Sequence, residues 1–406
     1  MKTNEKNDWK AVVALLCLGW VMIWIYRTML TPVYDEIQAA IGQYSNLQIG
    51  MISSMYFFAY VLAQIPGGIL MDRVGQKAVL VPGFLLFFAG IVVTGLASNL
   101  HTIFVGSVLA GIGTGTYYSG AFSLSGERVP PQHKFFATAL INSGCAVGMI
   151  AGYLSGGILV KRLGIHWRYM VFAAAAGVLL VALLFVFGLK RNGGSQRQEK
   201  SAQKVSVRTF FSPKLLAAYF LYFSTCYGYY MIVTWLPSFL ETERGMRGST
   251  ASIYACVVAA VSIPGALLLG KLLDRFSHKR VPMMFFLQLA SGVMLLLLTK
   301  FTSVFLLLLC LALYGLCGKQ AIDPLIVPHV SGKIPDCVRS TGLGIFNFFG
   351  MSGSVFAPGI TGYVQDQMGS KVYGFYIAAV LLAVSALLFY IGDKKASEQT
   401  EKVEYK

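Results

Sequence analysis

Twelve times along its 406 residues the chain runs apolar for about twenty residues before a short polar connection interrupts it. Few folds can absorb that pattern. A helix of roughly 20 apolar residues spans the hydrocarbon core of a bilayer. In lipid only helices and closed barrels satisfy their own backbone hydrogen bonds, and these runs are too long for barrel strands. They lie at 10–35, 46–70, 78–97, 101–125, 137–160, 167–189, 214–240, 250–272, 281–299, 303–328, 340–364 and 371–392. The expected fold is an all-α membrane protein of twelve transmembrane helices.

Composition supports lipid as the solvent. Hydrophobic residues make up 56% of the chain and charged residues 12%, with mean hydropathy +0.65. A soluble domain carries about twice that charged share. The first run is too long for the apolar core of a signal peptide and no clear cleavage site follows it, so it is expected to remain as the first span.

The formal net charge of +16 would suggest nucleic acid in a soluble protein. Its distribution argues otherwise. With a cytoplasmic N-terminus, 24 of the 33 Lys and Arg residues fall in inside segments, seven fall outside, and Arg27 and Lys319 lie within helices. That bias is the positive-inside signal of a multi-pass protein of the plasma (inner) membrane with both termini cytoplasmic, and it removes the need for a nucleic-acid partner. The seven cysteines form no CxxC pair and the five histidines no metal spacing, so no disulfide framework, metal or cofactor is expected.

Residues 190–213 form a polar linker that divides the chain into a bundle of six helices, 1–189, and a second, 214–406, ending in a short tail. The halves echo each other. Gly68-x-Leu70-x-Asp72-Arg73 follows the second run, and Gly270-x-Leu272-x-Asp274-Arg275 follows the eighth, at a constant offset of 202. Internal duplication about a linker marks transporters that work around a midplane site.

The longer stretch Gly68-x-Leu70-x-Asp72-Arg73-x-Gly75-x-Lys77 resembles the loop signature of the major facilitator superfamily, and the copy at 270–280 resembles its degenerate repeat. The resemblance extends over nearly the whole chain. It implies two pseudo-symmetric six-helix bundles, a central cavity and alternating access. It also implies a gating role for Gly68, Asp72, Arg73, Gly75, Lys77, Gly270, Asp274 and Arg275. Physically, glycine permits the tight turn, aspartate suits a helix N-terminus, and the cations anchor the loop. Two departures from family patterns matter. Ser107 stands where many members carry an arginine in helix 4. Helix 5 reads Gly148-x-x-x-Gly152-Tyr153-x-x-Gly156-Gly157, with Tyr153 where the antiporter signature has proline. Close packing through small residues explains those glycines.

Ionisable residues deep in a span are costly and usually functional. Arg27 in the first run, with Thr31 and Tyr34 on the same helical face, and Lys319 in the tenth are expected to bind substrate. Asp323, four residues after Lys319, is the first candidate for the coupling proton, ahead of Asp35 and Glu36. Lys319 and Asp323 could equally form a structural pair. Tyr56, Tyr60 and Gln64 form a polar-aromatic stripe in the second run. Tyr117, Asn142, Tyr227, Tyr230 and Asn347 complete the expected cavity lining.

Two interior cations against one interior anion suggest an anionic solute, since arginine holds carboxylates bidentately. The expected function is proton-coupled uptake of a small organic anion, a carboxylate, by a monomer in the bilayer. The alternative is a proton-coupled exporter of hydrophobic or cationic compounds, in which Asp323 would be exposed and Lys319 turned away. An enzyme is not expected: Gly111–Gly115 superficially matches a nucleotide loop but lies within a span and follows no strand.

Overall fold

The computed structural model describes residues 8–130, 134–189, 207–275, 280–334 and 339–404, and among them there is no strand. The helices of the first half are α1 (Asp8–Met29), α2 (Tyr34–Ile41), α3 (Asn46–Val74), α4 (Gln76–Leu96), α5 (Leu100–Gly115), α6 (Tyr117–Arg128), α7 (Lys134–Leu154) and α8 (Trp167–Gly188). There follow α9 (Pro213–Thr242), α10 (Gly248–Arg275), α11 (Arg280–Lys300), α12 (Val304–Cys317), α13 (Lys319–Ser331), α14 (Arg339–Met368) and α15 (Val372–Glu404). A 3-10 turn, Thr31–Val33, joins α1 to α2, and a π-helical segment, Ser155–Arg162, prolongs α7.

Joined across their short breaks, these helices form twelve stretches, one over each expected run. Among the described residues, nine stretches are long and apolar enough to cross a membrane. The other three are α5 with α6, α9, and α14. The first is interrupted at Thr116. The second carries Ser224, Thr225, Tyr227 and Thr234, all buried, and the third is rich in glycine and serine. Polar faces turned into protein need no lipid-compatible surface, which lowers their mean hydropathy.

The breaks differ from the continuous helices expected at 10–35, 101–125 and 303–328. Pro32 has no backbone N–H and restricts the residue before it, so α1 stops at Met29 and the chain re-enters a helix at Tyr34. Glycines at 111, 113 and 115 weaken the helix ahead of Thr116. Gly318, with ψ at −156°, separates α12 from α13. Thr116 and Gly318 are 202 residues apart, the same offset as the loop motif, so the duplication extends to the position of the helix break.

The molecule divides into two compact units. One holds α1–α8 and Leu236–Cys256; the other holds the earlier part of α9, the remainder of α10 from Val257, and α11–α15. In the first unit, α7 lies along α1 through a ladder of glycines. A Cβ on Gly144 would stand 2.8 Å from Cys17 O. One on Gly148 would collide with Val21 O, and one on Gly152 with Thr28 Oγ1. The helix 5 glycines are therefore packing residues, and they fix the helix that carries Arg27. Gly75, with φ at 88°, ends α3 and opens α4, a conformation that only glycine adopts freely.

Candidate functional site

Arg27 lies in the last turn of α1, where the helix dipole favours a cation, and is 6% exposed. Its Nε donates to Tyr56 Oη on α3 at 3.0 Å. Tyr56 Oη also meets Thr114 Oγ1 on α5 at 2.6 Å. Aromatic rings enclose the guanidinium: Trp20 at 5.6 Å, Trp24 at 5.0 Å, Tyr56 and Phe57 at 5.3 Å and Tyr60 at 4.6 Å from Cζ to centroid. Cation–π attraction of this kind offsets part of the desolvation cost of a buried arginine. A recess of about 20 Å³ opens beside it, lined by Arg27, Thr31, Tyr34, Ser53, Tyr56 and Ser107 among others, with no carboxylate among the described lining residues. That volume takes a water molecule.

Arg27, Thr31 and Tyr34 all line one recess, although the helix breaks between the second and third of them. Tyr56 joins them and Tyr60 covers the guanidinium, while Gln64, a turn further along α3, is not in the recess lining. Tyr117 is buried, donates its hydroxyl to Leu16 O, and stacks on Trp20 at 5.3 Å. It thereby holds one wall of the aromatic enclosure. Asn142 is exposed on α7, on the side away from the glycine ladder.

In the second unit Lys319 opens α13, directly after the Gly318 break. Its Nζ donates to Asp323 Oδ2 at 2.6 Å and stands 5.3 Å from the Tyr222 ring. Asp323 Oδ1 is buried, with no hydrogen-bond partner among the described residues. Tyr230 lies within electrostatic reach of Lys319. Tyr227 is buried near Thr361, and Asn347 is half-buried on α14.

Of the loop motif, Lys77 Nζ donates to Val186 O in the last turn of α8 at 2.6 Å, anchoring the loop on exposed helix-end carbonyls. Gly68 has open space where a Cβ would stand. The side chains of Asp72, Arg73, Asp274 and Arg275, and the surroundings of Gly270, lie outside the described residues.

One ion-pair cluster had no signal in the sequence. Lys161, counted above only as an outer-loop charge, has a side chain 7% exposed. It pairs with Glu241 at the end of α9 and lies 3.7 Å from Glu36 on α2. Three residues scattered over 206 positions carry no local spacing that would announce them. Their carboxylates are 34% and 28% exposed, so solvent screens part of the attraction. Lys161→Met is expected to lower stability by about 1–2 kcal/mol, below the range for a fully buried pair. Thermal unfolding of the purified protein measures this; an unchanged midpoint would mean the cluster contributes nothing.

The family model described as Major Facilitator Superfamily matches residues 16–286 and 218–405. The "Cis,cis-muconate transport protein" of Acinetobacter baylyi is 26% identical over 377 residues, covering 87% of this chain and 88% of that protein. The "Probable sulfoacetate transporter SauU" of Cupriavidus necator is 26% identical, covering 93% and 92%. "Multidrug resistance protein 1" of Bacillus subtilis is 25% identical, covering 85% and 87%. Among solved structures, a bacterial homolog to the human lysosomal transporter Spinster aligns with a TM-score of 0.77 at 18% identity, covering 96% of this chain and 97% of that one.

Proposed function

Because the chain belongs to the Major Facilitator Superfamily, we propose that it takes up a small organic anion together with protons, with Arg27 receiving the carboxylate. The observation that carries this reading is the Arg27 recess. A guanidinium 6% exposed and walled by rings faces a recess whose described lining residues include no carboxylate, a setting that favours an anion. Relatives named for muconate and sulfoacetate transport support the same class.

Thr31, Tyr34, Tyr56, Tyr60 and Tyr117 shape the anion's surroundings in the first unit, and Gln64 is a proposed substrate-binding position further along α3. Lys319, Tyr227, Tyr230, Asn142 and Asn347 are the remaining proposed substrate-binding positions. Asp323 is the proposed proton acceptor. Its bond to Lys319 supplies the coupling: protonation of the carboxyl frees the ammonium, and deprotonation restores the pair. The loop motifs, Gly68 to Lys77 and Gly270 to Arg275, are proposed to gate. The setting is the cell membrane with both termini in the cytoplasm, and the working unit is a monomer.

The exporter reading has one observation in its favour, the relative named for multidrug resistance. The Lys319–Asp323 bond counts against it, because an acid committed to an ammonium is a poor receptor for a lipophilic cation.

Asp323→Asn tests the coupling. The expected result is loss of uptake driven by a proton gradient, with exchange of labelled for unlabelled anion retained in vesicles at equal pH. Gradient-driven uptake at wild-type rate in this variant would remove Asp323 from the coupling role.

A further inference from the structure

Tyr56 Oη lies between two polar groups, 3.0 Å from Arg27 Nε and 2.6 Å from Thr114 Oγ1. Proton counts fix the direction of each bond. An arginine only donates, so the Tyr56 oxygen accepts from Arg27. The phenol then has one proton to give, and Thr114 Oγ1 stands in reach of it. Thr114 gives its own proton back to the α5 backbone, where Ala110 O lies at 2.9 Å and Gly111 O at 3.3 Å. The opposite direction at Thr114 would leave the phenol proton buried with nothing to accept it, which is costly. Guanidinium, phenol, hydroxyl and backbone carbonyl therefore form one directed relay from α1 through α3 to α5.

The relay depends on a close approach of α5 to α3. A Cβ on Gly111 would collide with Tyr56 O, and one on Gly115 would stand 2.5 Å from Tyr60 O. These glycines flank Thr114, three residues before it and one after. They seat the threonine against the stretch of α3 that carries Tyr56 and Tyr60, two of the rings around the guanidinium. Thr114 itself is fully buried and is not among the lining residues of the recess. Its hydroxyl has Tyr56 to hold and no substrate to touch.

We infer that Thr114 is a positioning residue for the anion seat: it holds the Tyr56 hydroxyl, and through it the Arg27 guanidinium, at the tilt that receives a carboxylate. The inference rests on the reading that Arg27 holds the carboxylate. A guanidinium meets a carboxylate within its own plane, so a bond that fixes the plane at Nε bears directly on affinity.

Binding of benzoate, succinate, hexanoate and gluconate is measured by calorimetry on the purified protein, and the tightest binder of the four is carried through the variants. Thr114→Val, close to threonine in shape but without the hydroxyl, is expected to weaken that binding about tenfold, the scale of one buried donor left unmatched. Thr114→Ser keeps the hydroxyl and is expected to bind as the wild type does. Tyr56→Phe is expected to weaken binding as well, and adding Thr114→Val to it to weaken binding no further, because the threonine then has no phenol to hold. Thr114→Ala carries the same expectations should the valine variant not fold. Wild-type affinity without the hydroxyl, no rescue by serine, or full additivity with Tyr56→Phe would each overturn the positioning role. Arg27→Gln keeps the two readings apart. Affinity lost there but intact in Thr114→Val overturns the positioning role alone. Affinity intact in Arg27→Gln, or no binding of any of the four acids, overturns the anion reading and the positioning role with it.

Discussion

Arg27→Ala is expected to reduce uptake of a carboxylate substrate by about 30-fold or more. The estimate follows from the chemistry of a desolvated charge pair, where truncating one partner costs about 2–5 kcal/mol and leaves the other charge unmatched. Arg27→Lys should recover only part of the loss. An ammonium keeps the charge but gives up the planar fork that meets a carboxylate with two hydrogen bonds. It would also give up the match between a flat guanidinium and the rings of Trp24 and Tyr60. Initial rates of labelled carboxylate uptake in vesicles measure both variants. Arg27→Gln, closer in volume, separates loss of charge from collapse of the aromatic enclosure. Wild-type rates in the glutamine variant would show that the cation is not used.

The second large effect concerns the helix that carries the site. Gly148→Leu is expected to lower stability by about 3 kcal/mol, at the upper end for overpacking. The backbone of α1 lies where the new side chain would go: even a Cβ would collide with Val21 O and stand 2.7 Å from Trp24 Cβ. Since Trp24 is one wall around Arg27, the displacement should reach the site as well as the fold. Asn142→Leu is the matched control. It lies on the same α7, but its side chain is exposed, so its effect should stay within about 0.5 kcal/mol. Thermal unfolding and monodispersity in detergent compare the two. Equal stability would mean that α1 and α7 do not need this close approach.

Much of the architecture was legible in the chain because lipid imposes a simple rule. Each span must bury its own backbone, so twelve apolar runs announce twelve helical stretches. The helix breaks were less legible. Pro32 announces the first, but no proline stands at Thr116 or Gly318, where glycines and polar residues interrupt the run instead. A repeat offset of 202 was visible in the loop motif, and extending it to helices 4 and 10 would have placed each break opposite the other.

The site divides in the same way. Arg27, Thr31 and Tyr34 share a face by helical spacing, and the structure sets them around one recess. Trp20 and Trp24 precede Arg27 by seven and three residues on that same face, so the aromatic enclosure has a local signal in the sequence. Tyr56 was picked out by its stripe, but its bond to Arg27 spans 29 residues and two helices, which no local pattern encodes. Lys161 with Glu36 and Glu241 depends wholly on tertiary packing. Asn142 is a polar residue in an apolar run, and it is exposed on α7.

The central claim is that Arg27 is the seat of an anion. Its most direct test is the thermal stability of the purified wild type and of Arg27→Gln against carboxylates, sugars, amino acids and lipophilic cations at two pH values. The predicted result is stabilisation of the wild type by a carboxylate, with no response from the variant to that compound. Stabilisation of both proteins alike by the carboxylate, or of the wild type by lipophilic cations alone, would contradict it.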